Sequence, residues 1–358
     1  MHDNESIFEQ LSERGHERLC FHHDPDTGLK AIVAIHSTAL GNALGGTRRW
    51  FYENEADAVY DVLRLSKGMT YKAAVSGLPM GGAKSVIMIP HQDQPRTEAE
   101  ARAMGKFVDT FNGAYIAAED VGVDTQFIDW MASETKHVMG GETVSRGGDP
   151  SPWTAMGTFH GMRACLIHAG RGDDFSGMTV AIQGVGHVGQ SLCKLLSEAG
   201  AKIFVADIKK INIDFVVDTY GCTPVHDAEI LTTECDILAP CALGGVIDGN
   251  VIQNLRCSIV CGAANNILGD PEEDAVALKT AGILYGPDFV VNSGGLIHLA
   301  GMHLGMGEDV LQIKNDEIFS TTMQILHRGE ETTSTYAAAV EIAEQRISGA
   351  QETGVHAG

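Results

Sequence analysis

The sequence predicts an α/β protein of two domains, in which a mixed α/β domain precedes a Rossmann-type, doubly wound parallel sheet. Three observations predict this architecture. The chain has 358 residues, and a domain usually contains about 100 to 200. In the second half, five strand-like runs alternate with helical or polar segments, as in a parallel sheet with crossover helices. A glycine- and proline-rich stretch at residues 140–153 interrupts both periodicities and marks the domain boundary and hinge.

The first domain contains signals for both strands and helices. Runs rich in apolar and β-branched side chains at residues 29–38 and 85–90 predict strands. Asn54 is placed to cap a helix through residues 56–66, where apolar side chains recur at helical spacing. A second helix is predicted over residues 98–111.

The second domain begins with a predicted helix over residues 154–169. The strand-like runs that follow are MTVAIQG, KIFVAD, DILAPCA, SIVCGAA and GILYG. We expect the first domain to span residues 1–140 and the second to span residues 141–329. The terminal helix, at about residues 330–350, is expected to pack back on the first domain.

The composition excludes several kinds of partner. Lys and Arg number 25 against 47 Asp and Glu, which gives a formal charge of -22. Such a chain repels nucleic acids and anionic membrane surfaces. We interpret the surplus acid as a device for solubility or as an adaptation to a salty cytoplasm.

The cysteines and the N-terminus indicate a reduced, cytoplasmic protein. The eight cysteines are scattered, without a C-x-x-C pair or histidines at zinc-finger spacing, so no metal site is predicted. The N-terminus is polar and acidic, and no run of about 18 apolar residues occurs. A secretory signal and a membrane span are therefore not expected.

A glycine fingerprint, G-V-G-H-V-G, lies between the strand-like MTVAIQ and the helical SLCKLLSEA. The three glycines permit a tight turn, approach of a pyrophosphate to the backbone, and close packing of the helix on the sheet. The next strand ends in an acid, 18 residues after the last glycine, where it can bind ribose hydroxyls and repel a 2′-phosphate. NAD is therefore favoured over NADP. The candidate cofactor-binding residues are Gly184, Gly186, His187, Val188, Gly189 and Asp207.

Two lysines bracket the apolar, glycine-rich segment K-A-A-V-S-G-L-P-M-G-G-A-K, which is predicted to be a loop from Lys72 to Lys84. Neighbouring ammonium groups and exclusion of water both favour a neutral amine that can act as a base near pH 7. Asp120, at the end of a strand-like run, is a candidate proton shuttle if the fold brings it to these lysines. Gly45 and Gly46 offer either carboxylate-binding backbone N–H groups or a simple turn.

These segments, together with A-L-G-G-T-R-R, A-E-D-V-G, A-P-C-A-L-G-G and G-A-A-N-N, closely resemble the glutamate/leucine/phenylalanine/valine dehydrogenase family. The likeness extends over about residues 29–300 and is nearest to the branch acting on branched-chain and aromatic amino acids. It implies NAD-dependent, reversible oxidative deamination of an L-amino acid to a 2-oxo acid and ammonia, in a cleft between two domains of a homo-oligomer.

The resemblance also implies roles for individual residues. Lys72 would bind the substrate carboxylate with the backbone of Gly45 and Gly46, Lys84 would activate water, and Asp120 would move protons to and from the amine. The dinucleotide would contact Thr154, Cys241, Ala242, Leu243, Asn265 and Asn266. Ala83 replaces a glycine common in the family, and we expect its methyl to lie beside the base with little effect. The bulky Arg48-Arg49-Trp50 that follows has no assigned role.

The resemblance places the side-chain pocket at Leu44, Ala118, Leu296 and Leu299. An apolar pocket leaves a glutamate side chain unpaired at a cost of several kcal/mol, so glutamate should be rejected. Leucine, valine and isoleucine are favoured, with an aromatic substrate such as phenylalanine or tryptophan as the alternative. Other hypotheses are a 2-hydroxy acid dehydrogenase, against which the paired lysines argue, and a catalytically silent NAD-binding sensor, which would be expected to lack Lys84 or Asp120.

Overall fold

The computed structural model describes residues 6–143, 149–242 and 244–353, which divide into two compact units. The first unit contains the chain up to residue 143, Met302–Gly305 and the residues from Glu344 onward. The second contains Asp149–Gly301 and Met306–Ala343. The predicted two-domain α/β architecture with a Rossmann-type sheet is confirmed.

The first unit contains a mixed five-stranded sheet with strand order β1-β2-β4-β3-β5. The strands are β1 (Arg18–Asp24), β2 (Leu29–Ser37), β3 (Ala43–Phe51), β4 (Gly81–Ile89) and β5 (Tyr115–Glu119). β2 pairs antiparallel with β1 and β4, whereas β3 runs parallel to β4 and β5. The sequence analysis missed β1 and β3, because charged residues and glycines interrupt their apolar pattern.

Helices lie on both faces of this sheet. They are α1 (Ile7–Arg14), α2 (Glu55–Val75), α3 (Glu98–Asp109) and α4 (Thr125–Ala132). The side chain of Asn54 accepts a hydrogen bond from the Asp57 backbone, so the predicted N-cap of α2 is confirmed. Helix α2 covers one face of the sheet, which we name the α2 face, and α3 and α4 cover the opposite face. The core of the α2 face includes Ile32, Ala34, Ala58, Val62, Leu63 and Val86.

The last helix, α13 (Thr335–Thr353), contributes its residues from Glu344 onward to the first unit. The Tyr71 hydroxyl donates to Glu344 at 2.7 Å. The Arg346 guanidinium donates to the carbonyl oxygens of Ala74 and Val75 at 2.9 and 2.7 Å. Because the last carbonyls of a helix lack partners within it, Arg346 stabilises the C-terminal end of α2.

The second unit contains a six-stranded parallel sheet with strand order β11-β10-β9-β6-β7-β8. Its strands are β6 (Thr179–Gln183), β7 (Lys202–Ala206), β8 (Thr223–Pro224), β9 (Ile237–Pro240), β10 (Ile259–Val260) and β11 (Leu284–Tyr285). The five predicted strands are all present, and the two-residue β8 is additional. The strand order reverses between β6 and β9, which is where doubly wound sheets bind their ligands.

One helix precedes these strands, several connect them, and the rest follow the last strand. They are α5 (Ser151–His168), α6 (His187–Glu198), α7 (Lys210–Tyr220), α8 (Gly249–Ile252), α9 (Pro271–Thr280), α10 (Asp288–Val291), α11 (Gly294–His303) and α12 (Glu308–Glu331). None of the helices in the described part of the chain combines the length and apolar character needed to cross a membrane.

A partly buried histidine pair lies beneath α2. His16 bonds Ser66 at 2.9 Å, His36 bonds Thr70 at 2.8 Å, and the two rings are 4.8 Å apart. Burial lowers the pKa of His16 to about 4 and that of His36 to about 3, and the nearby charge of Lys67 contributes in the same direction.

The histidine pair is expected to make the protein sensitive to acid. Since the folded pKa values lie below the ordinary 6.5, the stabilisation is complete above pH 6.5 and is lost as the pH falls toward 4 and 3. As the pH falls from 6.5 to 5, each histidine should lower the free energy of unfolding by about 2 kcal/mol. Urea unfolding should therefore show a shallower acid dependence in His36→Asn than in the parent. The exposed-site control His91→Asn should keep the parental slope, and equal slopes in all three proteins would contradict the assignment.

Candidate active site

Lys84 lies in the interior of β4, with its side chain 8 % exposed. Side chains alternate between the two faces of a strand. Ala83 and Ile87 belong to the core beneath α3 and α4, and Val86 belongs to the core of the α2 face. Lys84 therefore faces α2. The expectation that the Ala83 methyl lies beside Lys84 is wrong, because that methyl packs on the opposite face.

The predicted loop between the two lysines is much shorter than expected. Lys72 lies in the last turn of α2 and Lys84 lies within β4, so only residues 76–80 connect the two elements. A Cβ on Gly82 would lie 2.1 Å from the Thr70 nitrogen, so the glycine lets α2 run directly against β4. Lys72 is two residues after Thr70 on α2. Lys84 is two residues after Gly82, on the face of β4 that α2 covers.

The ionic partner of Lys84 is a carboxylate. Its Nζ lies 2.8 Å from Asp120 Oδ2, and the Asp120 side chain is 18 % exposed. Burial alone would raise the pKa of Asp120, but the charges of Lys84 and Arg48 lower it to about 2. The structure thus places Asp120 beside Lys84, which is the condition on which its candidacy as a proton shuttle depended. The crowding of Lys84 by a second ammonium group stays a prediction.

Arg48, which the sequence analysis left without a role, contacts the same oxygen of Asp120 as Lys84 does. Its Nε lies 3.1 Å from Asp120 Oδ2 and its Nη1 lies 2.9 Å from Asp61 Oδ2 on α2. The Tyr52 hydroxyl and the Arg64 guanidinium also donate to Asp61, at 2.8 and 3.1 Å. Arg48 is two residues after Gly46 in β3 and therefore lies on the same strand face. This spacing is the sequence signal from which its place in the site could have been predicted.

The neighbouring Arg49 points to the opposite face and has a structural role. It is 5 % exposed, pairs with Glu100 at 3.0 Å and donates to two backbone carbonyls. Its own backbone nitrogen donates to Val121 at 2.8 Å. Gly122 has φ +80°, and a Cβ there would lie 2.1 Å from the Arg49 oxygen. The turn that carries Asp120 is therefore bound closely to β3.

Gly45 and Gly46 lie in the interior of β3, so the alternative of a simple turn is wrong. They pair with Ala117 and Ala118 of β5. A Cβ on Gly45 would lie 1.7 Å from the Ala83 oxygen, and a Cβ on Gly46 would lie 2.5 Å from the oxygen of Glu119 and 3.2 Å from Lys84 Nζ. Side chains at these positions would push β4 and β5 away, so the glycines create the space around Lys84.

The predicted pocket residues fall in both units. Leu44 is 3 % exposed and, like Ala118, lies on the strand face of Lys84, because the preceding residues Ala43 and Ala117 belong to the opposite core. In the second unit, Leu296 and Leu299 are three residues apart on one side of α11 and are partly buried.

The glycine loop of the second unit has the geometry of a phosphate-binding turn. Gly184 has φ +91°, and Gly186 precedes α6 as its N-cap without a side chain. A Cβ on Gly189 would lie 2.2 Å from the Gly184 oxygen, whereas one on Gly186 would meet nothing within 4 Å. The first N–H groups of a helix are free to bind an anion. His187 and Val188 open this helix, and the His187 side chain is 82 % exposed.

Asp207 follows β7 and faces the glycine loop. Its Oδ2 accepts a hydrogen bond from the Val185 nitrogen at 2.8 Å, and its Oδ1 accepts one from the Lys209 nitrogen at 2.7 Å. Oδ2 also accepts a hydrogen bond from Asn212 Nδ2 at 3.3 Å, whereas Oδ1 has a second lone pair for a ribose hydroxyl. Asp207 therefore stabilises the glycine loop through Val185. The sequence predicts a second role for it, the recognition of a ribose.

The other side of the switch point is formed by the end of β9. The Cys241 nitrogen donates to the Gln183 oxygen at 2.7 Å, and a Cβ on Gly184 would lie 2.6 Å from the Ala242 Cβ. Burial raises the pKa of the Cys241 thiol to about 12, so it remains protonated at neutral pH. The predicted contact at Leu243 falls outside the described residues.

Three further predicted residues lie in the same unit. Asn266 has φ +53°, and Asn265 accepts a hydrogen bond at 3.0 Å from Asn292. The sequence analysis missed Asn292, which is 4 % exposed and supports this loop. A Cβ on Gly295 would lie 2.5 Å from the Thr154 hydroxyl, so the start of α11 packs closely on the start of α5.

Two family models match most of the chain. Residues 16–137 match the Glu/Leu/Phe/Val dehydrogenase, dimerisation domain, and residues 205–357 match Glutamate/Leucine/Phenylalanine/Valine dehydrogenase. Residues 161–243, which include the glycine loop, also match the NAD binding domain of D-isomer specific 2-hydroxyacid dehydrogenases.

Relatives match over nearly the whole length. Leucine dehydrogenase of Thermoactinomyces intermedius is 42% identical over 97% of this chain and 95% of its own. Valine dehydrogenase of Streptomyces virginiae is 43% identical over 94% and 95%. The crystal structure of L-tryptophan dehydrogenase from Nostoc punctiforme superimposes with a TM-score of 0.85 at 39% identity, covering 97% of this chain and 100% of that one. The chain belongs to the Glu/Leu/Phe/Val dehydrogenase family.

Proposed function

We propose that this protein catalyses the NAD-dependent, reversible oxidative deamination of an apolar L-amino acid to the 2-oxo acid and ammonia. Leucine, valine and isoleucine are the favoured substrates. The observation that carries the proposal is the 2.8 Å contact between Lys84 and Asp120, next to the space that Gly46 leaves open. A buried base and acid in direct contact are suited to proton transfer.

The second unit has the features that NAD needs. The open space at Gly186, the helix that starts there and the carboxylate of Asp207 fit a pyrophosphate and a ribose without a 2′-phosphate. When bound, NAD accepts the hydride from the substrate Cα. Thr154 and Asn265 are the residues that we propose orient its nicotinamide.

The first unit would bind and orient the substrate. Lys72 supplies a cation for the substrate carboxylate, and the glycine backbone at Gly45 and Gly46 leaves room for it next to Lys84. A substrate held by its carboxylate at Lys72 and by its amino group at Asp120 presents its Cα hydrogen in one direction. This positioning removes much of the entropic cost of the reaction. Leu44 and Ala118 would contact the apolar side chain.

Proton movement would use the Lys84–Asp120 pair. Asp120, ionised in the free protein, accepts a proton from the substrate ammonium, because a neutral amine favours departure of the hydride. Asp120 releases that proton to solvent and takes one from Lys84, so that the neutral Lys84 amine can accept a proton from the water that attacks the iminium carbon. Asp120 then returns its proton to the nitrogen, the C–N bond breaks, and the proton of the carbinol hydroxyl leaves with the ammonia as ammonium.

A panel of L-amino acids, assayed with NAD and with NADP, tests the proposal. We expect turnover with NAD for leucine, valine and isoleucine, weaker turnover for phenylalanine and tryptophan, and none for glutamate. Tryptophan is included in the panel because the superimposed crystal structure is that of a tryptophan dehydrogenase. Turnover of 2-hydroxy acids alone, or binding of NAD without any turnover, would overturn the proposal.

Ala118→Gly is expected to shift the preference toward phenylalanine. The substitution removes one methyl group from the face that carries Lys84, and one methylene in an apolar pocket changes discrimination by about 1 to 3 kcal/mol. The ratio of kcat/KM for phenylalanine to that for leucine should rise about tenfold. Ala228→Gly, at an exposed site of the second unit, is the control. An unchanged substrate ranking in Ala118→Gly would remove Ala118 from the pocket.

Asp207→Ala is expected to relax the bias against NADP. The change removes the negative charge that repels a 2′-phosphate and leaves the positive side chain of Lys209 two residues away. The ratio of kcat/KM for NAD to that for NADP should fall at least about tenfold. Asp207→Asn separates charge from geometry, because an amide oxygen can still accept the Val185 N–H. A ratio equal to the parental one in both variants speaks against this role.

The homo-oligomeric state and the cytoplasmic location stay predictions. Self-association through the first unit is supported by the match of residues 16–137 to a dimerisation domain. It is also supported by the position of β1 at the edge of its sheet, where Phe21 is 54 % exposed.

A further inference from the structure

Two histidines and a glutamate cluster on the second unit, at a place that the proposed chemistry does not use. His168, His327 and Glu330 each offer one ligand atom, and these atoms lie within 4.8 Å of one another. His168 Nε2 is 3.3 Å from Glu330 Oε1, and the two imidazole rings are 5.1 Å apart. The cluster contains the donor types that divalent transition metals prefer.

The cluster exists because two helices run side by side in the same direction. His160 of α5 pairs with Asp316 of α12 at 3.1 Å, and farther along Arg163 lies over the ring of Phe319 at 5.4 Å. His168 is the last residue of α5. It therefore meets the last turns of α12, where the other two ligands are three residues apart on one side.

Two helix C-termini meet at this point. The exposed carbonyls at a helix C-terminus carry partial negative charge and favour a cation. The end of α12 already binds one cationic group, since Lys279 Nζ donates to the carbonyl oxygens of Gly329 and Thr332 at 2.8 and 2.6 Å. An adjoining cavity of about 180 Å³, lined in part by His168 and Glu330, leaves room for water to complete the coordination of an ion.

We propose that His168, His327 and Glu330 bind a divalent transition metal such as Zn²⁺ and that the ion links the ends of α5 and α12. Three protein ligands leave at least one coordination position for water. Because the ion bridges two helices of the folded unit, it stabilises the folded state. The sequence analysis predicted no metal site, since it searched for ligands close together in the chain, whereas His168 is far from the other two. The proposal does not depend on the dehydrogenase activity.

The test uses full-length protein without a histidine tag, stripped with EDTA and titrated with Zn²⁺ by calorimetry at pH 7.5. We expect one ion per chain and a Tm several degrees higher with saturating Zn²⁺ than without it. His327→Ala and Glu330→Gln alter exposed side chains and should raise the Kd at least tenfold. Their Tm values in EDTA should equal that of the parent. His91→Ala is the matched control and should bind as the parent does.

Cobalt provides an independent readout of the ligand set. Co²⁺ should give visible absorption bands in the parent and in His91→Ala, and these bands should be lost in His327→Ala. No stoichiometric Zn²⁺ binding by the parent, or binding by His327→Ala with the parental Kd, would overturn the proposal. Neither result would bear on the proposed amino acid dehydrogenase activity, which the substrate panel tests separately.

Discussion

Replacing Lys84 by alanine is expected to abolish NAD reduction with L-leucine while NAD still binds. The side chain is buried on the strand face where the substrate is proposed to bind, and its amine is the only one there that contacts Asp120 among the described residues. Loss of a positioned acid–base group costs about 10² to 10⁴ in rate. The kcat should fall by at least that factor, and the Kd for NAD, measured by fluorescence titration, should change less than about threefold.

The control for this variant is Lys106→Ala, which removes an exposed lysine from α3 of the same unit. Its kcat should equal that of the parent. Because Lys84→Ala leaves Asp120 with Arg48 as its remaining cationic partner, the unfolding midpoint must be measured alongside. Turnover near the parental rate in a folded Lys84→Ala protein would remove Lys84 from the proposed role.

Asp120→Asn is expected to lower kcat by about 10² to 10⁴, with a smaller effect on the KM for leucine. The amide preserves the shape of the side chain and can still accept hydrogen bonds from Lys84 and Arg48, but it cannot take up a proton from the substrate ammonium. Single-turnover measurement of NADH formation reports the step directly. A kcat unchanged from the parental value would show that the amine loses its proton to another group.

The pH dependence of the same variant supplies a second check. The pKa of Asp120 is about 2 in the folded protein, against an ordinary value of 3.8. Its stabilising contribution is therefore present above pH 3.8 and lost as the pH falls through about 2. Asp120→Asn should be less stable than the parent at neutral pH and should approach it under acid conditions. A constant difference at all pH values contradicts the ion-pair assignment.

Local sequence patterns predicted the regular elements well where a single segment contains the whole signal. The Asn54 cap, the strands of the parallel sheet and the glycine loop all depend on contacts between residues near one another in the chain. Strand β3 was missed for the opposite reason. Its Gly45 and Gly46 are disfavoured in isolated strands, and they are accommodated because β3 lies between β4 and β5.

The partners of the proposed catalytic groups could be foreseen only in part. The motifs named Lys84 and Asp120 as candidates, and the structure joins them at 2.8 Å. The sequence did not indicate that Arg48 would contact both Asp120 and Asp61, or that Asn292 would support Asn265. Those contacts join residues that lie between 13 and 72 positions apart, and no local periodicity records such a pairing.

The amino-acid sequence by itself determined the family, the dinucleotide loop and the chemical identity of the groups that we propose act on substrate, because each depends on residue types at short spacing. Tertiary structure decided which charges meet. A buried ion pair depends on where two strands and a helix place their side chains, and so does a cluster of imidazoles at the ends of two helices. Packing of distant segments sets these distances, and electrostatic energy changes steeply with distance inside a protein.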